Sequence, residues 1–176
     1  MGIHHLALAT RDLAATHRFY TEAMGFTLVK AVANPIEGGS GFAKHLFYDT
    51  GGDGMIAFWE LNDPRYEDFD PALSTSQGLP TWVNHFAFTA HDRTDLDTKL
   101  QRWLDRGHTV VEVDHEFCIS IYNTDPNGTM VEWCMDTRPL DERDRELANQ
   151  ILADPAPGFD SAPNITVHKP AVAVGL

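Results

Sequence analysis

His5 and His85 stand 80 positions apart in two segments that echo each other, Ile3-His4-His5-Leu6-Ala7-Leu8 and Val83-Asn84-His85-Phe86-Ala87-Phe88. A second echo, Met55-Ile56-Ala57-Phe58 against Met130-Val131-Glu132-Trp133, adds Glu132. Two neutral imidazoles and a carboxylate suit a divalent first-row metal and leave coordination positions open for substrate. Either histidine alone reads equally well as a buried strand residue satisfied by hydrogen bonds. The pair, in register with a terminal carboxylate, reads as a metal site.

Ala57 occupies the place that Glu132 holds in the second echo. Alanine has no donor atom, so the expected site keeps three protein ligands: His5, His85 and Glu132. Strand alternation turns Glu60 away from the face of Ala57, and it sets His4 opposite to His5. Neither is therefore expected as a further ligand. His45 can face the same site, while His17, His91, His108 and His168 read as surface or packing residues.

The elements that must hold these residues repeat. Residues 3–10 read as a strand. A helix follows, capped by Asp12, with Leu13, His17, Tyr20 and Met24 at helical spacing and Gly25 as its left-handed end. Strands are expected near 26–33, 42–50 and 54–61, completing a βαβββ module over about 3–61. The polar, proline-punctuated stretch 62–81 reads as a linker. The pattern restarts over 82–136: a strand at 82–90, a helix from about Thr94 to Arg106, and strands near 108–113, 117–124 and 129–135. Asp125-Pro126-Asn127-Gly128 turns between the last two strands. Residues 137–176 look different, an amphipathic helix from Asp141 to Ala153 and then a proline-rich arm expected to reach a second subunit or flank the site.

The chain has 176 residues, 43% of them hydrophobic and 22% charged, which fits one globular domain of about 1–136 plus that arm. A formal charge of −13 argues against nucleic acid or an anionic membrane as partner. No apolar run approaches the roughly 18 residues of a membrane span, and the first residues do not resemble a signal peptide; a cytoplasmic location is expected. Cys118 and Cys134 lie in apolar runs and read as small buried hydrophobes. The chain carries no glycine-rich phosphate loop and no Gly-x-Ser-x-Gly elbow.

Paired βαβββ units, a histidine on the first strand of each and the closing Asp125-Pro-Asn-Gly-Thr-Met-Val-Glu132 resemble the vicinal oxygen chelate superfamily. That superfamily includes glyoxalase I, fosfomycin-resistance enzymes, bleomycin-binding proteins and type I extradiol dioxygenases. The resemblance covers about residues 3–136. It implies an α+β fold in which two modules form a cupped mixed sheet around one metal. It also implies that Tyr122 stands where extradiol enzymes place a tyrosine beside the substrate oxygen, and that His115 lies in the region of their acid–base histidine. A three-ligand site resembles theirs more than the four-ligand sites of the lyases. The expected function is ring cleavage of a catechol-like aromatic by dioxygen, with Fe(II) as metal and Mn(II), Zn(II) or Ni(II) as compatible alternatives. The rival readings are a metal-dependent lyase or isomerase or a glutathione-dependent enzyme of the same fold, and a metal-free protein that sequesters a small molecule. A homodimer is compatible with all of them.

Overall fold

The computed structural model describes residues 2–52 and 54–171. The chain runs β1 (His5–Thr10), α1 (Leu13–Arg18), β2 (Thr27–Pro35), β3 (Phe42–Asp49) and β4 (Met55–Asn62), then β5 (His85–Thr89), α2 (Arg93–Asp105), β6 (Val110–Asp114), β7 (Cys118–Thr124) and β8 (Met130–Asp136), and ends in α3 (Glu142–Ala153) and β9 (Asn164–His168). The strands form two sheets, ordered β1-β4-β3-β2 and β5-β8-β7-β6-β9. β1 and β4 are parallel, whereas β3 pairs antiparallel with both β2 and β4. The α+β architecture of two mixed modules is the expected one. No helix among the described residues is long and apolar enough to cross a membrane.

Local chemistry explains the elements. Asp12 caps α1 by accepting the Ala15 N–H at 2.8 Å, which satisfies one of the orphan donors of the first turn. The helix then widens into a π-helical turn over Phe19–Ala23 and stops at Gly25, whose φ of +79° is the left-handed conformation glycine adopts without a Cβ clash. The π turn seats Tyr20 at 0% exposure against Phe58, with ring centroids 4.6 Å apart. In the second module Asp92 caps α2, and Leu96, Leu100 and Trp103 are its buried stripe.

The chain separates into two compact units. Of the described residues, those up to Phe88 together with Asn123–Val131 build one, and Thr89–Tyr122 together with those from Glu132 on build the other. In the first unit the Asp125–Gly128 turn is clamped onto α1. The buried Asp125 carboxylate accepts from Tyr20 Oη at 3.0 Å and from the backbone N–H groups of Asn127 and Thr129 at 2.9 Å each, and Asn127 Nδ2 donates to Thr16 Oγ1 at 3.2 Å. Burial raises the Asp125 carboxyl above its ordinary range, and these hydrogen bonds pull it back. The stretch read as a linker is ordered here too: Ser74 is 1% exposed, and its Oγ accepts the Asn84 N–H at 2.8 Å.

The second unit contains a strand that sequence periodicity did not suggest. β9 pairs antiparallel with β6 of the same chain, Val111 opposite Val167 and Val113 opposite Ile165. It is pinned by His168, whose Nε2 lies 2.7 Å from Glu112 Oε2, while Arg93 holds the other oxygen of Glu112 at 2.6 Å. The arm thus adds an edge strand to its own sheet; residues 172–176 lie outside the described ones.

Candidate metal and substrate site

Strand parity sorts the first sheet into two faces. Leu46, Tyr48, Ile56 and Phe58 pack toward α1 with Tyr20. On the opposite face the register sets Ala7 beside Ala57, Phe47 opposite Ala57 and His45 opposite Trp59. His5 shares this face: its ring centroid is 5.4 Å from that of Phe47 and 6.4 Å from that of His45. Ala57 therefore lies on the face of His5, as the internal alignment implies. Glu60 has the opposite parity and is held by Lys44 Nζ at 2.7 Å.

His4 departs from expectation. It precedes β1, so strand alternation does not govern it, and its Nδ1 comes within 2.8 Å of His5 Nδ1. His45 carries more weight here than in the sequence. Its side chain is buried, 7% exposed, and stacks on Trp59 with centroids 3.8 Å apart and planes 13° from parallel. Its Nε2 has no hydrogen-bond partner, a costly state for a buried polar atom. Burial, and then the proximity of His5, lower its pKa from the ordinary histidine value. A histidine between aromatic residues in an apolar strand gives no sequence signal of an unsatisfied nitrogen, which is why this residue stood out only weakly.

His85 begins β5. Its Nδ1 lies 2.9 Å from the Trp82 carbonyl oxygen, which can only accept, so Nδ1 is the donor there and a neutral ring places its lone pair on Nε2. This is the tautomer that a metal-binding imidazole needs.

The second unit gathers the other candidates. The β7–β8 hairpin is closed by Asp125 N–H to Thr129 O and by Thr137 N–H to Phe117 O, both 2.9 Å. That register puts Tyr122 directly across from Glu132, and Ser120 across from Cys134. Glu132 is buried, 4% exposed. Tyr122 Oη lies 2.9 Å from His115 Nε2. Burial, outweighing a hydrogen bond from Ser120, together with the charge of Glu132 and a hydrogen bond to it, pushes the Tyr122 phenol up to about 12. The phenol stays protonated at every physiological pH. With its one proton directed to Glu132, its oxygen can accept from His115 in the tautomer that carries a proton on Nε2, and the three residues then form a continuous chain.

His115 is fixed by an unusual turn. Glu116 adopts φ +74°, uncommon for a residue with a Cβ. Arg138 holds its carboxylate with two 2.9 Å bonds and reaches Asp144 of α3 at 2.7 and 2.8 Å, while Thr137 Oγ1 donates to the Glu116 carbonyl. Cys118 and Cys134 are free thiols; burial, then the neighbouring Cys134, pushes Cys118 up to about 12, which agrees with an unreactive thiol.

Among the described residues no three His, Cys, Asp or Glu side chains are already gathered to hold a metal ion. The donor set itself fits one: a lone-pair-bearing imidazole fixed by a carbonyl at His85, a second imidazole at His5 and a buried carboxylate at Glu132.

Two βαβββ modules with a histidine opening each and a buried glutamate on the last strand define a class of protein that builds its site on sheet faces. The sequence matches the profile of the Glyoxalase/Bleomycin resistance protein/Dioxygenase superfamily over residues 2–133, and the chain belongs to that family. It is 26% identical over 155 residues to the catechol-2,3-dioxygenase of Bacillus subtilis (strain 168), a match covering 88% of this chain. The chain spans about half of that relative's length, 48%. Among solved structures it is similar to a glyoxylase/bleomycin resistance protein/dioxygenase domain from Frankia sp. EAN1pec, with TM-score 0.57, 21% identity, and 77% and 98% of the two chains covered. It is similar as well to the fosfomycin resistance protein FosX of Listeria monocytogenes, with TM-score 0.55, 18% identity, and 78% and 94% covered. At these identities the structural likenesses establish the fold.

Proposed function

We propose that the protein is a metal-dependent ring-cleaving dioxygenase of the extradiol type, acting on a catechol-like aromatic with dioxygen. His5, His85 and Glu132 would hold the metal, Fe(II) in first place, with Mn(II), Zn(II) and Ni(II) compatible with the same donors. When bound, such an ion supplies a coordination sphere in which diol and dioxygen meet and are activated together.

The chain's own residues bind, orient and move protons. The observation that carries the reading is the His115–Tyr122–Glu132 chain, because it sets an acid–base pair beside one of the three donors. While Glu132 is uncoordinated it accepts the hydrogen bond of the Tyr122 O–H. Were Glu132 engaged as a ligand, that O–H would be free to turn to a substrate oxygen, with His115 behind it as a proton source. In the first unit, buried His45 with its unsatisfied Nε2 is held neutral and would be a second acceptor for a diol proton. The aromatic walls Phe47 and Trp59 suit a planar ring. The likeness to the Bacillus subtilis enzyme and the absence of a fourth donor at Ala57 support the same choice over lyase chemistry.

The test is oxygen uptake. Protein loaded anaerobically with Fe(II) and given a panel of catechols in air is expected to consume oxygen and release a yellow product. His115→Ala, Tyr122→Phe and His45→Phe each slow turnover by about a hundredfold or more, the scale of a lost general acid or base, while metal content stays unchanged. His5→Ala loses metal and turnover together. No oxygen uptake across the panel with a full complement of Fe(II) overturns the reading.

A further inference from the structure

We infer that the cavity beside His85 is a subsite for an apolar substituent of the substrate. This deepens the ring-cleaving reading and rests on it for the identity of the diol; the subsite itself rests on the geometry of the first unit. The cavity measures about 500 Å³ and is bounded by Leu73, Leu79, Val83 and Phe86 with Gln77 and His85. Leu79 and Val83 are each 39% exposed and the neighbouring Trp82 is 64% exposed. A contiguous apolar cluster left in water marks a place of contact, and here one wall is a proposed metal ligand.

The wall is built in advance rather than slack. The turn at Thr75–Gln77 ends on Gly78 at φ +75°, and the Gln77 and Leu79 N–H groups both donate to the Ser74 carbonyl at 3.0 Å. Asn84 Nδ2 donates to the Leu73 carbonyl at 3.2 Å, tying the far wall to the strand that carries His85. A cavity already shaped does not spend binding energy on ordering itself. No Lys, Arg, Asp or Glu lines it, so the lining offers a charged group no ion-pair partner. The volume falls in the range of small-molecule sites. His85 itself lines the cavity, so an occupant touches the imidazole that the Trp82 carbonyl orients. The occupant is therefore an alkyl chain or a second ring carried by the diol.

The experiment compares kcat/KM of the Fe(II)-loaded full chain for catechol and its 4-methyl, 4-ethyl and 4-n-propyl derivatives. Burial of each methylene is expected to raise kcat/KM by about fourfold. Leu79→Lys, a change at a half-exposed site, should flatten the series; Val83→Thr, nearly isosteric, should lower the slope without disturbing the circular dichroism. In parallel, n-propylbenzene, which has no diol and cannot be cleaved, is titrated calorimetrically and should bind saturably to the parent and at least about tenfold more weakly to Leu79→Lys. A flat series in the parent, or a slope and propylbenzene binding untouched by both variants, overturns the subsite. No turnover of any catechol alongside propylbenzene binding that Leu79→Lys removes supports the subsite and overturns the ring-cleaving reading instead. Absence of both turnover and binding overturns the two together.

Discussion

Ala57 is 0% exposed, on the face that carries His5 and directly across from Phe47. A carboxylate placed there has no water to solvate it and displaces the ring opposite. In the metal-free protein Ala57→Glu is therefore expected to cost several kcal/mol, the scale of an uncompensated buried charge, and to lower Tm by roughly 10 °C for a chain of this length. If the three proposed ligands hold an ion, the new carboxylate becomes a fourth donor. Metal then restores most of the lost Tm, and turnover falls because a position meant for substrate is filled. Thermal melts with and without metal, beside oxygen uptake, check this. A variant whose Tm ignores metal while its turnover persists would sink the open-site argument. The residue scale is also where sequence was least sufficient. The types and spacing of His5, His85 and Glu132 are visible as an internal echo. That His45 is buried with an unsatisfied nitrogen depends on its stacking against Trp59 across a strand pair, which no local pattern records.

The elements were legible where periodicity and punctuation agree. Asp12 and Gly25 bracket the first helix, Gly107 at φ +82° ends the second, and Asp125-Pro126-Asn127-Gly128 turns the last hairpin. β9 was not legible, because five residues after a run of prolines carry too little pattern and their partner is supplied by β6, at least 50 positions earlier. What ties α3 to the sheet is equally non-local: Arg138 bridges Glu116 and Asp144, and Asp144 closes the capping box with Asp141. The Arg138 hydrogen bonds, aided by the Asp141 backbone N–H, hold the Asp144 carboxyl down at about 2; Glu116 is lowered by the same guanidinium. A depressed carboxyl contributes stability that is complete above its unfolded value and lost as pH falls through the folded one. The tie is thus expected to persist down to about pH 4 and fail between there and about pH 2. Hydrogen exchange at the amides of Glu142–Ala153, corrected for intrinsic rates, should accelerate about tenfold or more across that window. Arg138→Met should show the fast exchange at neutral pH. If exchange in that variant matches the parent at pH 7, the bridge does not hold the helix.

At the scale of the whole molecule, the charge of −13 bears on the metal. A surface so rich in carboxylates attracts divalent cations nonspecifically, so metal content alone does not establish a site. Stability distinguishes the two cases. An ion held by His5, His85 and Glu132 binds the native state alone, since the unfolded chain leaves the three donors scattered over 128 positions of sequence. At a free concentration about a hundredfold above its dissociation constant such an ion adds about 2.7 kcal/mol, which for this length shifts Tm by roughly 5–11 °C. Removing metal with a chelator should lower Tm by that amount, and restoring Fe(II) or Zn(II) should recover it. His85→Gln should make Tm indifferent to the chelator, while Glu60→Gln, on the opposite face and engaged with Lys44, should leave the response intact. Scattered surface binding predicts the reverse ranking: a small response spread over many carboxylates and insensitive to a single imidazole. A chelator response that survives His85→Gln would remove His85 from the ligand set, whatever the reaction proves to be.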